Sequence, residues 1–286
     1  MSLVLVFQAL TNGLVNGMVY ALTAAGFSLI YGHANILFFA LGEIYMLGAV
    51  LTYVFITNFG IPYFAALGIS ILILGFFGVL LERFFFRYLE GKDGLVFALA
   101  SLALAMLISG IALETFGERG KAIAAPVKGI INMSGVILPS SKLMIVVISL
   151  TLLLGLHFFF KLTRSGRAIR AVSQEADAAQ LVGVSLNYVK GLTFFLALAV
   201  AAGGGGLIAP LYYVDVFMGA PILMTTLIVV VLGGLGSFPG AIAGGLFIGI
   251  IESFGYTFLG GITTMVSFFI VIFILIIKPE GLFGHE

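Results

Sequence analysis

This sequence predicts an all-α membrane protein, a polytopic bundle of about eight to nine transmembrane spans with broken helices and one helical segment outside the lipid. Three observations predict it. The chain is 62% hydrophobic and 9% charged, with a mean hydropathy of +1.25. Its apolar residues fall into runs of roughly 18 residues or more, enough to cross a bilayer. One stretch, Lys161–Lys190, breaks that pattern with charge. A soluble domain of this size needs far more polar surface. A membrane β-barrel would alternate polar and apolar residues along short strands, and no such alternation is present.

The first apolar run is Leu3–Tyr31. The start MSLVLVFQAL has neither a basic region nor a small-residue cleavage site, so it reads as a retained helix rather than a signal peptide. Ile36–Thr57 and Pro62–Leu81 follow. The loop Glu82–Asp93 then carries Arg83, Arg87 and Lys92. Leu95–Phe116 and Leu143–Phe160 flank a polar segment, Gly117–Lys142. After the charged insert come Val189–Leu211, Ile222–Leu235, Ala241–Phe258 and Ile262–Ile277. Basic loops stay on the cytoplasmic side. The two basic loops are separated by two spans and therefore agree. They place Gly117–Lys142 outside despite its Arg119, Lys121, Lys128 and Lys142, the N-terminus outside, and the tail after Lys278 in the cytoplasm. If Ile222–Phe258 makes one crossing and a re-entrant piece, nine spans become eight. The chain reads as one transmembrane domain over residues 1–286, with its loop at 161–190.

The insert reads KLTRSGRAIRAVSQEADAAQLVGVSL. Ser165 is suited to N-cap a helix from about Gly166, and Gly183 sits where that helix would end. Ile169, Val172, Ala176, Ala179 and Val182 form one narrow apolar face, with Arg170, Gln174, Glu175 and Asp177 off it. Such a helix either lies on the membrane surface or docks in a groove on a soluble partner. The small, Ala-rich face favours docking, since surface-bound helices present Phe, Leu or Trp.

Two glycine blocks stand out among 38 glycines. Gly203–Gly206 and Gly233–Gly240 are both poor helix formers and predict a break, a hinge or a close crossing. Glu43 and Glu252 lie inside spans, where an ionisable group faces the bundle interior or a cavity. Glu114 and Asp215 lie nearer span ends and read as solvated. The chain has no cysteine, and His33, His157 and His285 are scattered, so no metal site and no catalytic group are expected. It has no HExxH and no GxxxxGK[ST] phosphate loop. Nucleotide hydrolysis by that route is excluded, and active transport would draw on an ion gradient or on a separate subunit. A net charge of +1 offers no case for nucleic acid.

Five blocks resemble one family in order along the chain. NGLVNGMVYALTAAGFSLIYG and FFALGEIYMLGA are similar to the start of the permease subunits of branched-chain amino acid ABC importers. SGRAIRAVSQEADAAQLVGVS resembles their coupling loop, VVVLGGLGSFPGAIAGGLFIGIIES their late Gly-rich block, and IIKPEGLFG their C-terminal signature. The length resembles the shorter of the two permease types. The resemblance implies an inner-membrane permease that moves a small organic solute, an amino acid of branched-chain type. It also implies a second permease (paralogue or self), two ATPase subunits that bind ATP and Mg, and a periplasmic or lipid-anchored binding protein. Arg167, Arg170, Glu175, Ala176 and Gly183 would then belong to the ATPase-coupling segment. Where family members often read N-F-A-H-G-[ED], this chain has Phe38 and Leu41 at the Asn and His positions, and Thr225 replaces a frequent Lys. With Glu43 and Glu252, these are the candidates for the translocation path or the permease interface. Phe38 and Leu41 are three apart and would share a helix stripe. The departures keep urea, amides and aromatic acids open as cargo. A stand-alone secondary transporter or channel would need an ion site, for which only Glu43 and Glu252 speak.

Overall fold

The computed structural model describes residues 3–34, 36–89, 91–127, 129–133, 136–278 and 281–283. Helices α1 (Leu3–Ala34), α2 (Leu41–Phe59), α3 (Tyr63–Phe84) and α4 (Gly94–Phe116) come first, with a 3-10 turn at Phe86–Leu89. A two-stranded hairpin, β1 (Ile130–Met133) and β2 (Val136–Pro139), leads into α5 (Ser140–Leu162). The insert forms α6 (Arg164–Gln174) and α7 (Ala176–Leu181). Then come α8 (Leu186–Ile208), α9 (Gly219–Gly233), α10 (Phe238–Phe258) and α11 (Thr263–Ile277). All nine predicted apolar runs thus form helices. Seven of the helices are long and apolar enough to cross a membrane: α1 to α5, α8 and α10. The other two, α9 and α11, have 15 residues each, about 22 Å of helix.

The bundle has two chemically distinct ends. One gathers the close of α1, the α3–α4 turn, the insert and the start of α8 around a shared cavity containing Arg87, Lys92 and Lys190; it is called the basic end below. There Arg87 grips the buried carboxylate of Glu82 at 3.0 Å. The opposite end holds the hairpin, whose strands pair antiparallel from Ile130↔Pro139 to Met133↔Val136. It also holds a bridge between Lys121 and Val214, with the Lys121 ammonium 3.9 Å from the centre of the Phe116 ring. The hairpin lies within the predicted polar segment and is the departure from an all-α chain.

Two contacts hold the centre. Helices α1 and α10 run antiparallel, and each carries a G-x-x-x-G spacing at the crossing. A Cβ on Gly13 would stand 2.8 Å from the backbone of Ile250, and one on Gly17 2.9 Å from Leu246. Gly245 and Gly249 are just as tight against Ala21 and Gly17. Small residues let membrane helices approach until backbone meets backbone. The buried Ser253 adds a 2.6 Å hydrogen bond to the carbonyl of Ala9 across this seam. The second contact is α8, which is enclosed by α1, α2 and α3.

Gly203–Gly206 do not break α8. All four are helical and buried, because α1, α2, α3 and α5 close around them. A Cβ on Gly205 would overlap the carbonyl oxygen of Tyr45, and one on Gly48 would overlap that of Ala202. The second block does break. Gly234 and Gly236 take φ of 101° and 79°, and the Ser237 hydroxyl accepts from the Gly240 amide at the head of α10. The last carbonyls of α9 are met by the tail, Leu282 N–H donating to Leu232 and Phe283 N–H to Gly233 at 2.7 and 3.0 Å. Of the predicted C-terminal signature, Pro279, Glu280 and Gly284 lie outside the described residues, as do Lys128 and His285.

Candidate functional site

The predicted span Ile36–Thr57 does not start as helix. Residues 36–40 are non-helical, and α2 begins at Leu41. This run climbs inside the bundle along α4. The buried Ser101, about 10 Å into α4, accepts from the Phe39 amide at 3.0 Å, while its own proton goes to the Ala98 carbonyl at 2.8 Å, with the Leu37 carbonyl farther off at 3.4 Å. Irregular backbone at such depth survives only where protein satisfies it. The shared stripe predicted for Phe38 and Leu41 is therefore corrected, since Phe38 precedes the helix. Both side chains are buried within this chain. Phe38 stands edge-on to Phe86 and Phe194, with ring centres 5.5 and 5.7 Å away.

Glu43, in the first turn of α2, is also buried. Its carboxyl lies against Gly219, the first residue of α9, where a Cβ would come within 2.8 Å of Oε2. Ser109 of α4 lies beside it. Oε2 has no hydrogen-bond partner among the described residues. The positive ends of two helix dipoles, α2 and α9, supply the missing compensation. Glu43 thus holds two helix starts together inside the bundle.

Glu252 and Thr225 meet elsewhere. Both line a cavity of about 600 Å³ toward the opposite end. The phenol of Tyr20 donates to Glu252 Oε2 at 2.7 Å, which fixes α1 to α10. Tyr45, Tyr212, Tyr213 and Tyr256 also line the cavity. So does Asp215, half-buried near the end of its span, with its Oδ1 accepting from the Phe217 amide at 2.8 Å. The sequence reading missed these tyrosines. Their one local signal is the cluster YYVD at Tyr212–Asp215 in a chain without tryptophan.

The insert is two helices rather than one, because Glu175 takes an extended backbone (φ −153°). The cap is Thr163, not Ser165: its Oγ1 accepts from the Gly166 amide at 2.9 Å. Gly166 packs so closely on the Phe159 carbonyl that a Cβ would overlap it, which makes a sharp corner between α5 and α6. Ile169, Val172 and Ala179 are buried against Val189, with Phe159, Phe160 and Leu192 around them, and Ala176 packs partly on the same cluster. The predicted apolar face is thus turned onto the bundle. Arg167, Arg170, Glu175 and Gly183 are exposed, as are Leu181 and Val182, at 89% and 80%.

Residues 9–277 match the family model for the branched-chain amino acid transport system / permease component. The chain belongs to this family. The permease is 30% identical to the high-affinity branched-chain amino acid transport system permease protein BraD of Pseudomonas aeruginosa, over 97% of this chain and 95% of that protein. It is 29% identical to LivH of Escherichia coli K12, with 97% and 95% covered. A probable LivH of Methanocaldococcus jannaschii is 23% identical, with 97% and 92% covered. Among solved structures, PsaBC from Streptococcus pneumoniae in complex with Fab aligns over 95% of this chain and 92% of that one. Its TM-score of 0.48 and 15% identity make the likeness too loose to argue from.

Proposed function

We propose that this permease is the membrane-spanning subunit of an ABC importer that carries a small amino acid of branched-chain type across the inner membrane. The relatives' names carry that cargo. The proposal pairs the chain with a second permease, two ATPase subunits that bind ATP and Mg, and a periplasmic or lipid-anchored binding protein. The basic end faces the cytoplasm by the positive-inside rule, and with it the tail. The cavity of Glu252 and Thr225 then opens toward the side from which solute is delivered.

The observation that carries this reading is the insert. It is pinned to the bundle by Ile169, Val172 and Ala179, while Arg167, Arg170, Glu175 and the Leu181–Val182 tip project outward. A helix pair fixed on one face and charged on the other suits a lever for an ATPase. Its rigid corner at Gly166 passes movement to α5, and its return at Gly183, with φ of 88°, passes movement to α8. The test is a double substitution, Leu181→Asp with Val182→Asp, in the reconstituted complex. Both side chains are exposed, so the bundle should fold normally. Solute uptake should fall about tenfold, the loss of one apolar anchor of about 1.4 kcal/mol or more. Wild-type uptake and normal ATPase copurification in that variant would refute the lever. Ala176→Asp is a poorer probe, because Ala176 contacts the permease's own body.

A further inference from the structure

The 600 Å³ cavity has an unusual lining. Five of the chain's ten tyrosines surround it, together with Asp215 and Glu252. No lysine, arginine or histidine lines it among the described residues. Tyr20 is the one hydrogen-bond partner of the Glu252 carboxylate among those residues. The hydroxyl of Ser267, on the same wall, is buried and has no partner among them. Three of the tyrosines, Tyr212, Tyr213 and Tyr256, are 56%, 70% and 59% exposed, so the cavity is open on one flank.

From this we infer that the cavity is a half-site for the ammonium end of the solute, and that any carboxylate on the solute is met by the second permease. The inference rests on reading this chain as an importer's permease. An ammonium brings three donors and no acceptor. Glu252 and Asp215 supply acceptors, and aromatic faces attract a cation within about 6 Å of the ring centre. Hydroxyl donors on Tyr, Thr225 and Ser267 could reach a solute carboxylate, but that carboxylate would enter beside two fixed acids with no base to offset them. A like charge beside them is disfavoured. On this reading the second permease closes the open flank. Two copies of this chain would put four acids around one solute and no lining base, which suits a cation or a neutral donor. A zwitterion instead requires a paralogue that brings the base. Anionic cargo such as an aromatic acid gains no favourable charge contact from this lining.

The experiment uses the permease–ATPase complex in lipid nanodiscs and three probes that share a 3-methylbutyl framework: isoamylamine, L-leucine and isocaproate. Saturation-transfer NMR should give isoamylamine a signal about tenfold that of isocaproate, the difference one charge-assisted hydrogen bond makes. Glu252→Gln with Asp215→Asn keeps an acceptor for the Tyr20 hydroxyl and the Phe217 amide while removing both charges. It should cut the isoamylamine signal about tenfold, with an unchanged elution profile of the complex. Each single substitution guards against a folding defect in the double. Equal signals from amine and acid, or a double variant that keeps its amine signal, would overturn the half-site. Leucine uptake by the wild-type complex with its binding protein is read separately. Its absence beside intact amine binding sinks the proposed cargo and leaves the half-site standing, whereas intact uptake without amine binding sinks the half-site alone.

Discussion

Gly203–Gly206 and Gly233–Gly240 are similar in composition and opposite in structure. The first block stays helical in the middle of α8 and the second divides α9 from α10. Glycine's conformational freedom weakens a helix by about 0.5–1 kcal/mol per residue relative to alanine, so it argues for a break in both. What differs is the neighbourhood. Around α8, the backbone of α2 occupies the space where a Cβ on Gly205 would be, the side chains of Leu67 and Thr52 crowd Gly206, and Tyr63 donates to the Gly206 carbonyl at 3.0 Å. The packing gained at the crossing outweighs the propensity lost. In the second block, a serine cap, a proline in the first turn of α10 and two positive-φ glycines act together, and the close approach of Gly32 of α1 to Gly236 packs against the turn itself. Runs of glycine therefore mark close approach or a turn according to what flanks them.

This comparison can be broken by substitution. The largest effect should come from Gly205→Leu, which forces α2 off α8; overpacking of this kind costs about 3 kcal/mol or more. The detergent-solubilised permease should lose its monodisperse elution peak after mild heating. A variant as heat-resistant as wild type would mean that α2 and α8 do not cross in backbone contact. Gly236→Ala comes next. It puts a side chain at φ 79° and 3.2 Å from Gly32, for about 1–2 kcal/mol of strain, seen as a lower apparent melting temperature with α9 and α10 still separate. Removing the α10 cap with Ser237→Ala should cost about 1 kcal/mol, read in the same melting assay, and Ser237→Asn should restore it. The smallest effect is expected at Gly203→Ala. Its Cβ would meet only the methyl ends of Leu152 and Ile71 at 3.3 and 3.4 Å, so the change should be neutral or stabilise by about 0.5 kcal/mol. A large loss there would show that the glycines of α8 serve flexibility rather than fit.

Much of the architecture was legible because bilayer thickness imposes a length on apolar runs, and nine such runs became nine helices. The insert was legible for the converse reason, as charge cannot sit cheaply in lipid. The sunken start of α2 was not legible. Ile36–Ala40 is as apolar as any span and has no proline or glycine; its backbone is held open by Ser101, sixty residues away in sequence. The packing direction of α6 was also hidden, because the same small apolar face suits a partner or the protein's own body, and only the Gly166 corner decides. At the candidate site, Glu252 and Thr225 were found from their polarity within apolar runs. The tyrosines were not, since each is an ordinary amphipathic residue until five converge. Asp215 keeps part of the exposure that its place near a span end predicts, but that place says nothing about the cavity its loop folds back to line.

The contact between Leu282, Phe283 and the end of α9 has a consequence for biogenesis. Helix α9 is complete at Gly233, yet the donors for its last carbonyls come fifty residues later in the chain. As the chain is inserted in order, this short helix enters the bilayer with its terminal acceptors unmet, and water or the insertion machinery must serve them until α10 and α11 have followed. The stitch between tail and α9 is therefore a late step of assembly, and a chain that stalls before it closes presents an uncapped, glycine-lined helix end.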